Sequence, residues 1–216
     1  MKRRRRRVRG RPPLRIGLTG SIGMGKTTVG RMFREAGVPV FDADAAVHAL
    51  VAPGGAAFPL VTAAFPDALG ADGRIDRVAL GARVFADPAA LQRLEAILHP
   101  LVFAAEQRFY RDCARRRIPI AVADIPLLFE TGTAHRFDSL VVVSAPAFLQ
   151  RQRVMRRPGM SEAKLGGIRA RQWPDAAKRR AADFVIATGR NQRYTRQAVA
   201  RVLAKVRRGR GKVCSA

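Results

Sequence analysis

Cysteine, acid and aromatic residues are all scarce in this 216-residue chain, and each shortage excludes something. The two cysteines, Cys113 and Cys214, are too few and too far apart for a disulfide framework or a zinc site, so a reducing, cytoplasmic compartment is expected. No apolar run approaches the ~20 residues of a membrane span. The longest candidates, Ile118–Phe129 and Leu140–Leu149, are broken by Asp124, Pro126 and Pro146. The basic N-terminus is not a secretory signal, because Arg15, Gly17, Gly20 and Lys26 interrupt any apolar stretch after it. Aromatics are 6%, with one Trp and two Tyr, which leaves few platforms for stacking single-stranded bases.

Acids are outnumbered 16 to 41, giving a net charge of +25. Such a charge suggests nucleic acid, but its distribution argues otherwise. Residues 1–13 hold eight positive charges and 205–216 five, with no acid in either, leaving +12 on the residues between. These tails (1–13 and 207–216) read as solvated, disordered extensions in preference to an arm for RNA, DNA or anionic lipid. The whole chain is 48% hydrophobic, enough to fill a core.

Apolar runs at Leu14–Thr19, Val38–Phe41, Ile118–Ala123, Leu140–Val143 and Phe184–Ala187 read as strands. They lack polar alternation, as in parallel sheets covered on both faces. Helical stretches lie between them: 26–36, 42–51, most of 56–112, 146–156, 161–172 and 192–208. The alternation predicts an α/β doubly wound sheet. Pro66, Asp72-Gly73, Pro88 and Pro100 punctuate the 56–112 insertion, and Asp76 and Asp87 are expected N-caps.

Gly20-Ser21-Ile22-Gly23-Met24-Gly25-Lys26-Thr27 fits G-x-x-x-x-G-K-[ST], between a strand and a helix. Glycine lets successive amides turn inward on phosphate oxygens, and the helix start adds its dipole. Lys26 reaches the β- and γ-phosphates of ATP, and the Thr27 hydroxyl ligates Mg²⁺. No N-K-x-D segment supports a GTPase, and a single Asp124 after the third strand lacks the second acid of a motor. A phosphotransferase acting on a small acceptor fits better. Asp42 and Asp44 lie just past the second strand, where α/β ligand sites form. Asp42 suits an N-cap. Asp44 suits the carboxylate that orients an acceptor hydroxyl and takes its proton. Asp124 either holds a Mg²⁺ water or caps a following short helix. Arg153 and Arg157, four apart, would share a helix face, with Gly159 as a hinge.

GLTGSIGMGKTT, GVPVFDAD, LHPLV, DIPLLFE, RVMRRPGMSE and ADFVI occur in this order, and together they resemble the dephospho-CoA kinase family over about residues 14–206. The resemblance implies an α/β P-loop kinase core with parallel sheet, a helical substrate-binding insertion (about 56–112) and a small lid (about 153–172) within one domain. It implies phosphoryl transfer from ATP to the 3′-hydroxyl of dephospho-CoA. It places ATP at Gly23, Met24, Gly25, Lys26, Thr27 and Thr28, and makes Asp44 the base with Asp42 beside it. It puts His99, Pro126, Leu127, Leu128 and Glu130 along the acceptor, and Arg153 and Arg157 on the lid. Pro158 and Thr188 depart from the family pattern, the latter where Asn is frequent near the ATP base, so no adenine contact is assigned. The alternatives are another P-loop kinase for a nucleoside or small alcohol and, less favoured, a nucleic-acid-associated binding protein. No membrane partner is expected, and nothing in the sequence specifies an oligomeric state.

Overall fold

Strands and helices alternate along residues 12–212, which the computed structural model describes. They are β1 (Leu14–Thr19), α1 (Lys26–Glu35), β2 (Val40–Asp42), α2 (Ala43–Val51), α3 (Phe58–Ala64), α4 (Arg77–Ala86), α5 (Pro88–Arg115), β3 (Ile120–Asp124), β4 (Ser139–Ser144), α6 (Ala147–Met155), α7 (Glu162–Ala170), α8 (Asp175–Ala181), β5 (Phe184–Ala187) and α9 (Gln192–Lys212). The expectation for the N-terminal tail lies outside the described residues up to Arg11, as does that for 213–216. Residues 207–212 do not leave the fold as a tail. They extend α9 four residues past the expected end, through Gly209 and Gly211, neither of which stops it.

Two compact units result, one comprising the chain to Phe41 and from Cys113 onward, the other Asp42–Asp112. In the first, the strand order is β2-β3-β1-β4-β5, with β1 parallel to both β3 and β4, and β4 parallel to β5. Side chains alternate between sheet faces. Ile16, Leu18, Ile120, Val122, Val141 and Val143 join Val29, Met32 and Phe33 of α1 and Val199, Val202 and Leu203 of α9 in one core. Val142 joins a smaller cluster with Leu128 and Phe129. The apolar runs therefore lack alternation because each face has its own cover. Leu18 sits opposite Asp124, so the end of β1 and the end of β3 are level.

The helical unit has its own core around Val61, Phe65, Leu80 and Val84. It starts at Asp42 and so takes in α2, which the sequence boundary at 56 left out; Leu50 and Val51 of α2 pack on this core. Asp76 accepts from the Val78 and Ala79 amides, and Asp87 from Ala89, as capping predicts. Pro100 does not break the chain as expected. It lies inside the 28-residue α5. Its ring removes the amide that would reach the Ala96 carbonyl, a cost of about 3 kcal/mol. Packing of Leu94, Ile97, Leu98 and Leu101 along the same helix offsets it.

Candidate active site

Gly25, at the N-cap of α1, has φ 90°, a left-handed conformation that an L side chain rarely adopts. It offers no side-chain oxygen to the helix's first amides, which leaves them to an outside anion. Gly23 is also left-handed, with φ 75°, and a Cβ there would lie 2.6 Å from Val154 Cγ2. The loop thus needs glycine both for its turn and for its approach to α6. Met24 is buried, and its sulfur accepts a hydrogen bond from the Ala145 amide at 3.1 Å. Thr27 is exposed on the first turn of α1.

Lys26 forms an ion pair and hydrogen bond with Asp124, the last residue of β3. The lysine side chain is 16% exposed and the carboxylate 5%. Asp124 does not cap a helix, because the segment after it runs through turns to Thr131. Both groups therefore stand at the level strand ends beside the loop. Their chemistry, an ammonium with carboxylate and hydroxyl oxygens, suits a nucleoside triphosphate and a hard divalent cation.

Arg153 projects from α6 onto the loop. Its guanidinium donates to the Thr188 carbonyl at 2.6 Å and the Thr188 hydroxyl at 3.0 Å. That hydroxyl in turn donates to the Met24 carbonyl at 2.6 Å. Thr188, marked in the sequence only as a departure, is therefore a bracket between β5 and the loop. Arg157 does not share a helix face with Arg153. α6 ends at Met155, and Arg157 lies exposed in the turn before Gly159. The Pro158-Gly159 pair ends the helix early, as the residue before a proline avoids helical geometry.

Of the segment after β3, Pro126 receives the Thr19 hydroxyl on its carbonyl at 3.0 Å, and Leu127 is exposed. Leu128 and Glu130 are not pocket-lining side chains here. Leu128 is fully buried in the smaller core cluster. Glu130 accepts from the Trp173 amide at 2.8 Å and lies 2.8 Å from Lys178 Nζ, a side chain with no exposed surface. Apolar packing claims the first, and compensation of a buried ammonium claims the second.

Asp42, Asp44 and His99 belong to the helical unit. Asp42 caps α2 by accepting from the Ala45 amide at 3.0 Å. Asp44, in the first turn, is exposed. His99 is exposed on α5 beside Pro100.

Reading by motif missed Gln150 and Gln172. Gln150 donates to the Ile22 carbonyl at 2.8 Å, and Gln172 accepts from the Ile22 amide at 3.1 Å. Gln150 is three residues before Arg153 on α6, and that spacing is the one sequence signal that connects it to the loop.

The chain has similar sequences and similar folds among known proteins. The dephospho-CoA kinase family model matches residues 14–193. A dephospho-CoA kinase of Rhodospirillum rubrum is 56% identical over 194 residues, covering 90% of this chain and 92% of that protein. One of Mesorhizobium japonicum is 55% identical over 196 residues, covering 91% and 98%. A crystal structure from Thermus thermophilus has a TM-score of 0.79 at 34% identity, covering 90% of this chain and 98% of that one. A dephospho-CoA kinase from Campylobacter jejuni has a TM-score of 0.60 at 23% identity, covering 89% and 96%, a likeness of fold. No helix among the described residues is long and apolar enough to cross a membrane. A P-loop whose lysine is held by the acid ending β3, in a sequence matched over most of its length, makes this chain a kinase that belongs to the dephospho-CoA kinase family.

Proposed function

We propose that this chain transfers the γ-phosphoryl group of ATP to the 3′-hydroxyl of dephospho-CoA, giving coenzyme A and ADP, the final step of coenzyme A synthesis. The observation that carries it is Lys26, held by Asp124 at the mouth of a loop built from left-handed glycines, in a member of this family. Loop amides and the α1 dipole take the phosphates, and Lys26 supplies positive charge at the group in transfer. Thr27 and Asp124 offer the hard oxygens for Mg²⁺, which when bound neutralises charge shared between the β- and γ-phosphates. Arg153 adds a guanidinium fixed at the loop, and Arg157 a second from the turn beyond α6.

Asp44 orients the acceptor hydroxyl and takes its proton. What supports this is chemical. Asp42 spends its carboxylate on the helix cap, whereas Asp44 is exposed in the same turn. Exposed Leu127 and His99, with part-buried Pro126, remain the proposed acceptor contacts. The net charge of +12 between the tails favours an anionic substrate over a neutral one.

A coupled assay offering dephospho-CoA, adenosine, uridine and shikimate with Mg²⁺ and ATP tests the reading. Turnover is expected with dephospho-CoA. Efficient use of a nucleoside or of shikimate, with dephospho-CoA inert, overturns it.

A further inference from the structure

Ile22 lies within the phosphate loop, and both of its backbone polar groups are taken by side chains from far along the chain. Gln150 Nε2 donates to its carbonyl at 2.8 Å, and Gln172 Oε1 accepts from its amide at 3.1 Å. A trans peptide points its C=O and N–H in opposite directions. Holding the Ile22 carbonyl on Gln150 therefore turns the Gly23 amide the other way. Holding the Ile22 amide on Gln172 likewise turns the Ser21 carbonyl away, where it accepts from the Met24 amide at 3.1 Å and closes the loop. Together the two carboxamides set the two peptide planes that flank Ile22.

Gln172 is itself held. It follows the end of α7, and its own amide donates to the Arg169 carbonyl. The next amide, that of Trp173, donates to Glu130 Oε1 at 2.8 Å. The same oxygen faces the buried Lys178 ammonium at 2.8 Å. The Trp173 ring stacks on Phe129 with centroids 5.5 Å apart. Two residues on, Asp175 Oδ2 accepts from the Ser144 hydroxyl at the end of β4 at 2.7 Å. A buried ion pair is a weak source of net stability but a strong constraint on position, because breaking it strands a charge. Here it fixes the backbone from which Gln172 reaches the loop.

We propose that Gln172 is a positioning residue for ATP. Its carboxamide, anchored through Trp173 to the Glu130–Lys178 pair, holds the loop with its amides aimed at phosphate and ties the end of α7 to that geometry. The inference rests on the phosphotransfer reading above and adds to it a residue outside the motif. Gln172 touches no reacting atom in this account. Its contribution is the preorganisation of donors, which otherwise have to be ordered at the moment of binding.

Gln172→Met keeps length and bulk and removes the acceptor. One lost hydrogen bond in a part-buried site corresponds to roughly tenfold in binding. ATP is titrated calorimetrically without acceptor, and the KM values for ATP and dephospho-CoA are then measured separately. The expected result is ATP affinity weaker by roughly tenfold, a matching rise in the ATP KM, a dephospho-CoA KM within about twofold, and Tm within about 2 °C. A residue that merely packs would leave the methionine variant unchanged, and a residue that merely stabilises would move Tm and both KM values together. Either result overturns the proposal. Amide exchange supplies a check on the wild-type chain. The Ile22 amide is expected to exchange slowly, and fast exchange overturns the proposal even if the variant fails to fold. Wild-type protein that binds no ATP removes the functional reading as well, whereas wild-type binding with an unaffected variant removes only the role of Gln172.

Discussion

Lys26 and Asp124 meet as an ion pair at the junction of α1 and β3, with the acid almost wholly buried and the lysine largely so. The pair holds the ammonium at the loop rather than in bulk water. Lys26→Ala should lower phosphotransfer by about 10²–10³-fold, the scale of one electrostatic donor to a charged transition state. Folding should survive with a lower Tm, because Asp124 loses its cation while the α1 core residues Val29, Met32 and Phe33 are untouched. Steady-state kcat with a thermal melt checks both. Near-wild-type activity, or a chain that does not fold, counts against the role.

Asp42 and Asp44 should separate as cap and base. Asn caps nearly as well as Asp, so Asp42→Asn should change activity little. Asp44→Asn keeps the shape and loses the proton acceptor, and its kcat should fall by about 10²–10⁴ with ATP affinity retained. If Asp42→Asn proves the more damaging, the two assignments are reversed.

Leu127 and Leu128 are adjacent, yet one is exposed and the other fully buried. Leu128→Ala should cost about 2–5 kcal/mol of stability through lost burial and the cavity left behind. Leu127→Ala should cost about 0.5 kcal/mol or less. Urea denaturation of the two variants gives the comparison. A larger loss at Leu127 would contradict the packing.

Glu130 and Lys178 should show strong non-additivity. Lys178→Met leaves a part-buried carboxylate without its cation and should destabilise by about 3–5 kcal/mol. Glu130→Gln added to it keeps an acceptor for the Trp173 amide, removes the stranded charge and should recover much of that loss. A double-mutant cycle by chemical denaturation measures the coupling, and additive losses would deny it.

The strands and the phosphate loop were legible because their signals are local. An apolar run such as Leu140–Val143 has one reading in a doubly covered sheet, and a glycine-rich turn before Lys26 has one chemistry. The caps at Asp42, Asp76 and Asp87 were legible for the same reason, since each acid answers amides two or three residues away. Failure came where a local rule met a distant partner. Pro100 breaks an isolated helix but stays within α5, where apolar packing along the helix outweighs the lost bond. Arg153 and Arg157 have helical spacing, but the helix ends between them. Short helix α8 went unseen, and so did Gln172, whose partner Ile22 is 150 residues away and leaves no trace in the spacing. Leu128 and Glu130 carried a motif's expectation, yet burial set their roles.

The strand order has a consequence for synthesis on the ribosome. β1 is made first, but its neighbours are β3 and β4, so Leu14 waits for Ile120 and Ile16 for Ser139. At ~5–20 residues per second, the hundred or so intervening residues take roughly 5–20 s to emerge. By the end of that interval Asp42–Asp112, whose core is drawn from its own stretch of chain, has been made, while Leu14–Thr19 is still without its strand partners. The nucleotide loop thus gains its supporting sheet only after β3 and β4 have been made, and a nascent chain stalled before Ile120 exposes the sticky strand that the finished protein hides at the centre of its sheet.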